Sequence, residues 1–358
     1  MKKKLIALSL VLAALSACAS TPSDSIAATP TPTEAPTPTE APAPAAEPTP
    51  EPTSTPSQTP APTMAVYDEV SFDDWRAAAG CTMPDYTFSA PHAPQPLEKV
   101  AWPAEGVTLR MYVADTLEEA AELYHTTVET LKELNPDYEG NYTRNHGQYR
   151  SMKLQAEPYT LPMNNVVSVT VSAPWVENQY DRTGTYNVPA SLDKQTQAAL
   201  ATAYYFQYKW CGMHGGFWPY EPVDDLPKWL QGYATDGAFY TKFSEFNSFL
   251  HRVYSDAWVD DLLNEEPALF AEGENDTILT GDGDRGSNVA YCGHLFTEPE
   301  LQPDGSMEFW QLVLTCESEE FAGWGGEEPV VPDTATVMPI RLVSTEDGWR
   351  VNGVNLPN

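Results

Sequence analysis

From residue 107 the chain begins to alternate. Val107-Thr108-Leu109-Arg110-Met111-Tyr112-Val113 places an apolar side chain at every second position, the pattern of a half-buried strand. Thr116 with Glu119 makes a capping box and opens a helix through Tyr124; Thr126 with Glu129 opens another that stops at Asn135-Pro136. A strand and two short helices need a second strand to close them, and Tyr149–Leu154 is the candidate. Val166–Val171 alternates again, and an irregular linker follows to Pro189. Ser191 is read as the cap of a helix over Leu192–Trp210, ended by Cys211-Gly212, with Leu200, Ala203, Tyr204 and Tyr208 close to one face. Ala238–Lys242 reads as a strand. Ser244 starts a helix with Phe246, Phe249, Leu250 and Val253 on one face, and Asp256 starts another with Trp258, Val259, Leu262 and Leu263.

Beyond Pro267 the pattern is β. Short strands are expected around Leu269-Phe270, Thr277–Leu279, Val289–Phe296, Met307–Cys316, Val337–Val343 and Trp349–Val354, with turns at Glu272-Gly273, Asp304-Gly305 and Asp347-Gly348. Helices followed by an antiparallel sheet define an α+β layer architecture. The expected form is a curved sheet wrapped on helices, similar to cystatin or NTF2-like folds.

The first 64 residues have a different character. Lys2-Lys3-Lys4 precede an apolar run from Leu5 to Leu15, too short to span a bilayer and of the length of a secretory signal. Leu15-Ser16-Ala17-Cys18 resembles the bacterial lipobox, which implies lipidation at Cys18; an ordinary signal peptide with an incidental Cys is the plainer alternative. Thr31-Pro32-Thr33-Glu34-Ala35-Pro36 repeats as Thr37-Pro38-Thr39-Glu40-Ala41-Pro42, and degenerate copies run on to about Pro62. Proline at that density favours extended polyproline II, so the segment reads as a disordered stalk without chemistry of its own. The organisation expected is a signal peptide and lipobox over residues 1–18, a Pro/Thr-rich linker over 19–64, and an irregular lead-in over 65–104 with a short helix near Ser71–Gly80. A β-α-α-β module over 105–163 and an α+β domain over 164–358 follow.

A net charge of −32 disfavours nucleic acid, anionic headgroups and anionic wall polymers as partners. The six histidines, His92, His125, His146, His214, His251 and His294, are scattered, without the paired spacing of a metal peptidase. Cys211 at a helix C-terminus and Cys292 in a strand are poorly placed as nucleophiles. Asp282-Gly283-Asp284-Arg285-Gly286-Ser287-Asn288 has oxygen ligands at alternate positions. Gly293 stands where a calcium loop needs its Glu, which favours a structured turn. The aromatic run Gly215–Tyr220 reads as packing under a loop before it reads as a sugar platform. Neither metal, cofactor nor catalytic activity is expected.

Asp115-Thr116-Leu117, Ala120-Ala121, Tyr124, Val128, Leu131, Asn135-Pro136 and Gly147-Gln148 resemble a LysM module, over roughly Val107 to Leu154. Ala114 and Ala120 depart from its pattern, and the stretch from Pro136 to Gly147 is longer than usual. The resemblance implies binding to peptidoglycan glycan strands through Asp115, Thr116, Asn135, Pro136, Asp137 and Tyr138; a degenerate module that no longer grips sugar is the alternative. Tyr240, Phe243, Phe249-Leu250, Tyr254-Ser255-Asp256, Val259, Leu262-Leu263, Asp284–Asn288 and Asp347-Gly348-Trp349 resemble the IseA-like inhibitors of DL-endopeptidases, over about Ser191 to Pro357. That resemblance implies a secreted cell-wall endopeptidase as partner, with the loop Asp284, Arg285, Gly286, Ser287 and Asn288 as the candidate contact; the plainer alternative for the loop is a tight turn.

In an oxidising exterior the later cysteines are disulfide candidates. Cys292 and Cys316 are equidistant from Asp304, so a symmetric hairpin would place them opposite each other, leaving Cys81 with Cys211; buried thiols are the alternative. The whole reads as a non-catalytic lipoprotein on the extracellular face of the membrane. It would be held there by its lipid alone and project into the wall. A glycan-binding or scaffold lipoprotein without inhibitory activity is the competing reading.

Overall fold

The computed structural model describes residues 71–112, 116–136, 152–173, 182–209, 219–227, 230–264, 269–281, 289–317 and 325–354. All of them fall in one compact unit, Pro60–Asn358.

The chain enters through α1 (Phe72–Ala77), capped by the Ser71 hydroxyl, which accepts the Asp74 N–H at 3.1 Å. Its Trp75 is fully buried. The lead-in is not irregular throughout: Asp85–Phe88 forms β1. Then come β2 (Thr108–Met111) and α2 (Leu117–Leu123), where both halves of the Thr116/Glu119 capping box are made. In α3 (Val128–Leu134) the cap is Thr127 rather than Thr126, its hydroxyl accepting the Thr130 N–H at 3.1 Å. Next are β3 (Val166–Ser172) and β4 (Thr183–Pro189). The stretch read as a linker thus contains a full strand, with Val188 completely buried.

Helix α4 (Lys194–Lys209) is capped by Asp193, whose carboxylate accepts the Thr196 N–H at 2.9 Å. The Ser191 hydroxyl instead donates to Glu298 at 3.0 Å. Every residue of α4 from Gln195 to Phe206 is buried, so the helix is central rather than one-faced. The two short strands β5 (Tyr220–Pro222) and β6 (Gly232–Ala234) follow. Residues 238–242 are a turn segment with buried Phe239 and Tyr240, not the expected strand; Lys242 alone makes a bridge, to Thr277. Helices α5 (Phe243–Val253) and α6 (Asp256–Asn264) match the expected pair. The last strands are β7 (Phe270–Glu272), β8 (Ile278–Thr280), β9 (Tyr291–Phe296), β10 (Glu300–Leu301), β11 (Met307–Thr315), β12 (Thr334–Thr345) and β13 (Gly348–Val351).

These strands form three sheets: β1-β3-β4, β5-β6-β8-β7, and a six-stranded sheet built on β11 and β12. In the last, β9 and β10 share one edge of β11, and β2 and β13 share the far edge of β12. All its pairings are antiparallel except β2–β12, which is parallel. The architecture is mixed α+β. Pro339 lies inside β12, where a proline normally costs a ladder bond. It sits between Val337, the last residue paired to β2, and Leu342, the first paired to β13. The Val337 carbonyl accepts the Tyr112 N–H on that edge, so two residues on Pro339 would point the same way, where no strand among the described residues pairs with it.

Of the expected β-α-α-β unit, β2, α2 and α3 form; the expected closing strand Tyr149–Leu154 is represented among the described residues by the single Arg110–Lys153 bridge, and the unit does not stand apart. Its closing segment lies antiparallel to β2, with Met111 N–H donating to the Met152 carbonyl at 2.8 Å and Leu154 N–H to that of Leu109 at 3.0 Å. On its other side β2 is a strand of the C-terminal sheet, and Val107, Leu109, Met111, Ala120, Tyr124 and Leu131 share one core with Leu295, Leu312, Leu314, Ala335 and Val337. The opposite face of the same sheet, through Phe296, Phe309, Ile340, Leu342 and Val351, packs into a second core with α4, α5 and β3. Alternation along β11 divides its side chains between the two.

Candidate functional site

On the side of β2, α2 and α3, the even positions of β11 run from covered to open. Leu314 and Leu312 are fully buried, Trp310 is half-buried, and Glu308 is partly exposed. Beyond Trp310 the face opens into a groove of about 300 Å³. Three other parts of the chain complete it. His125 comes from the turn between α2 and α3 and holds a positive φ of 51°, the left-handed conformation that ends many helices. Tyr159 sits beside β2 through the Val107–Tyr159 bridge. The β9–β10 connection supplies Thr297 and Glu298, and β10 supplies Glu300. It is fixed to β11 by the Thr297 hydroxyl, which accepts the Trp310 N–H at 2.8 Å, and by the Thr297 N–H, which donates back to the Trp310 carbonyl at 3.0 Å.

The groove is acidic. Glu300 is the direct cross-strand partner of Glu308. Glu308 lies 2.9 Å from His125 Nε2 and 3.7 Å from the Arg341 guanidinium. Arg341 is also paired to Asp304, in the β10–β11 turn. The hydroxyl and N–H of Ser306 both donate to Asp304 and hold its carboxyl below the usual range. Glu298 accepts the Ser191 hydroxyl. The aromatic faces of Tyr159 and Trp310 beside these carboxylates can receive an alkyl chain or a ring, and the carboxylates can accept hydrogen bonds.

The expected sugar-contacting residues fare differently. The Thr116 hydroxyl is spent on its cap. The Asn135 amide donates to the Leu131 carbonyl at 2.8 Å and to that of Lys153 at 3.1 Å, and its oxygen accepts the Lys153 N–H at 2.9 Å; it staples the end of α3 to the closing segment. Pro136 follows directly. Asp115, Asp137 and Tyr138 lie outside the described residues, as do Cys18, the stalk, Asp284, Arg285, Gly286, Ser287 and Asn288. Cys211, His146, His214 and residues 215–218 lie outside them as well.

Cys81, Cys292 and Cys316 are thiols in the structure. The expected symmetric register between Cys292 and Cys316 is displaced by a bulge: Tyr291 pairs with Thr315 and Gly293 with Leu314, and the Cys316 N–H donates to the Ala290 carbonyl at 3.1 Å. Burial pushes the Cys292 thiol up to about 11 and raises that of Cys81. His294, on the other face of β9, is hydrogen-bonded through Nδ1 with the Tyr291 hydroxyl, 2.7 Å away; burial pushes its pKa down to about 4, against an opposing hydrogen bond to the Asn187 backbone. His251 contacts Asp256 at 2.7 Å near the surface. Among the described residues no group of three or more His, Cys, Asp or Glu is arranged to hold a metal ion.

Sequence reasoning passed over His125, Tyr159, Glu308 and Trp310. One signal was present: Glu308 and Trp310 occupy the same alternation as Leu312 and Leu314, so that face of β11 becomes amphipathic at one end.

Family models, curated proteins and solved structures return no match to this chain. No helix among the described residues is long and apolar enough to cross a membrane.

Proposed function

We propose that this is a lipid-anchored, wall-facing protein that binds peptidoglycan and restrains a secreted cell-wall endopeptidase. The lipobox-like Cys18 and the Pro/Thr stalk support the location, and the LysM-like and IseA-like residue patterns support the two partners. The observation that carries the reading is the groove, which opens where the LysM-like segment meets the sheet of the IseA-like segment. Because the two segments share a sheet and a core, they act as one body rather than as a tether and a separate effector.

A second reading has its own support. The side chains of Thr116 and Asn135 are committed to holding α2 and α3, which favours a LysM-like segment retained for structure in a scaffold lipoprotein. The test uses the chain from Pro60 to Asn358. It is added to a DL-endopeptidase digesting purified walls, turbidity is followed, and its sedimentation with walls is measured separately. Slowed digestion together with co-sedimentation is expected. Co-sedimentation without slowing would leave the scaffold reading, and the loss of both would remove wall binding as the function.

A further inference from the structure

We infer that the groove beside Trp310 is a receptor for an aliphatic ammonium group, the side-chain amine of a lysine-type residue on a wall stem peptide. The source of that peptide rests on the wall-binding reading; the ammonium is argued from the groove alone. Its charges do not balance. Of the three carboxylates lining it, Glu308 is paired with Arg341 and in contact with His125, and Arg341 is shared with Asp304. Glu298 and Glu300 are both exposed; among the described residues Glu298 receives the Ser191 hydroxyl, and Glu300 forms no ion pair. Glu300 also stands directly across from Glu308 on paired strands, where like charges oppose each other unless a cation enters between them.

The walls narrow the choice further. Tyr159 and Trp310 are half-buried aromatic faces, suited to the methylene chain of lysine and to its charge. A metal ion would need converging oxygen ligands, and no such group is formed by the described residues. An anionic ligand is repelled. A neutral sugar can stack on the aromatics and donate hydroxyls to the carboxylates but leaves their charge uncompensated.

The experiment uses the chain from Pro60 and three probes: Nα-acetyl-lysine methylamide, its uncharged norleucine analogue, and chitotetraose. The readout is the Trp310 indole resonance, assigned with Trp310→Phe. The lysine probe is expected to shift that resonance saturably and to bind about tenfold tighter than the norleucine analogue. Glu300→Gln, a change at a two-residue edge strand, is expected to weaken it about three- to tenfold. Raising the salt is expected to weaken it further. Equal binding of the two analogues, an unchanged affinity in Glu300→Gln, or a response to chitotetraose alone would each overturn the proposal. Sedimentation with walls is scored separately in the same samples. Its failure would overturn the wall-binding reading, while the lysine probe would still decide the chemistry of the groove.

Discussion

The two faces of the six-stranded sheet are finished in different ways. On one, α4 is buried over three-quarters of its length, and rings close the core: Phe206 stands 5.9–6.5 Å from Phe246, Phe249, Tyr254, Trp258 and Phe270. On the other, the filling is mainly aliphatic and the cover is two helices of seven residues each. A seven-residue helix is about 10 Å long, while the nine residues of β11 extend about 30 Å, so this cover falls short of the strand's end. The closed face is a foundation. The partly covered face has the groove because its lid is short.

The comparison is broken most severely by removing the lid. A chain begun at residue 164 lacks β2, α2 and α3, together with α1 and β1 of the closed face, and leaves Leu312, Leu314, Ala335 and Val337 without their partners. Each large apolar side chain lost from a core removes roughly 2 kcal/mol, and the loss of Val107, Leu109, Met111, Tyr124 and Leu131 together rivals the net stability of a whole domain, about 5–15 kcal/mol. The expected outcome is no cooperative urea transition and no near-UV dichroism for 164–358, against a single transition for 60–358. If the shorter chain unfolds cooperatively, the open face is not part of the foundation and the two segments are separable domains.

A smaller effect distinguishes the faces by charge. Asp347, in the β12–β13 turn, bridges Arg252 and Arg350, whose side chains are only 5% and 7% exposed. Asp347→Asn strips both guanidinium groups of their counter-charge and is expected to cost about 3 kcal/mol, the low end for a broken buried pair because the carboxylate itself is half exposed. Glu308→Gln, on the open face, is expected to cost under about 1 kcal/mol. Burial raises the pKa of Asp347, but Arg350, the Thr345 hydroxyl and Arg252 outweigh it and hold the carboxyl below its ordinary 3.8. A lowered folded pKa contributes stability that is complete above about pH 4 and is lost as pH falls through the folded value. The gap between native protein and Asp347→Asn in urea midpoints should therefore close below pH 4; a gap that persists in acid would remove the charge from the explanation.

Local chemistry was legible in the sequence, and long-range pairing was not. The Thr116/Glu119 box, the turns at Asp304-Gly305 and Asp347-Gly348, and the α5–α6 pair follow from neighbours in the chain. Strand β4 escaped because Thr183, Gly184, Thr185 and Asn187 mask its alternation, and β1 because prolines at 84 and 91 flank it. Nothing local could announce that β2 pairs in parallel with β12. The cap of α4 fell to Asp193 over Ser191 because the helix begins two residues later than its pattern implied. At the site, Thr116 and Asn135 were noticed for sugar and turn out to be fasteners, while the groove depends on His125 and Tyr159 arriving from outside the sheet.

The finest cut is one oxygen atom. Tyr124, buried at the C-cap of α2, points its hydroxyl between β2 and β12: it accepts the Tyr112 N–H at 2.7 Å and has the carbonyls of Tyr112 and Val337 each 2.8 Å away. The lid is thereby fastened to two adjacent strands at the point where their parallel pairing ends. Tyr124→Phe keeps the ring in the core but removes the hydroxyl's bonds to both strands, leaving the Tyr112 N–H its 3.3 Å bond to the Val337 carbonyl, an expected cost of about 1 kcal/mol. The denaturant midpoint should fall with an unchanged slope, since the surface exposed on unfolding is the same. Combined with Asp347→Asn, the two losses should add to within about 0.5 kcal/mol, because the sites share no partner. A clear departure from additivity would mean that the two faces are mechanically coupled through β12, and that the short lid supports the foundation as well as resting on it.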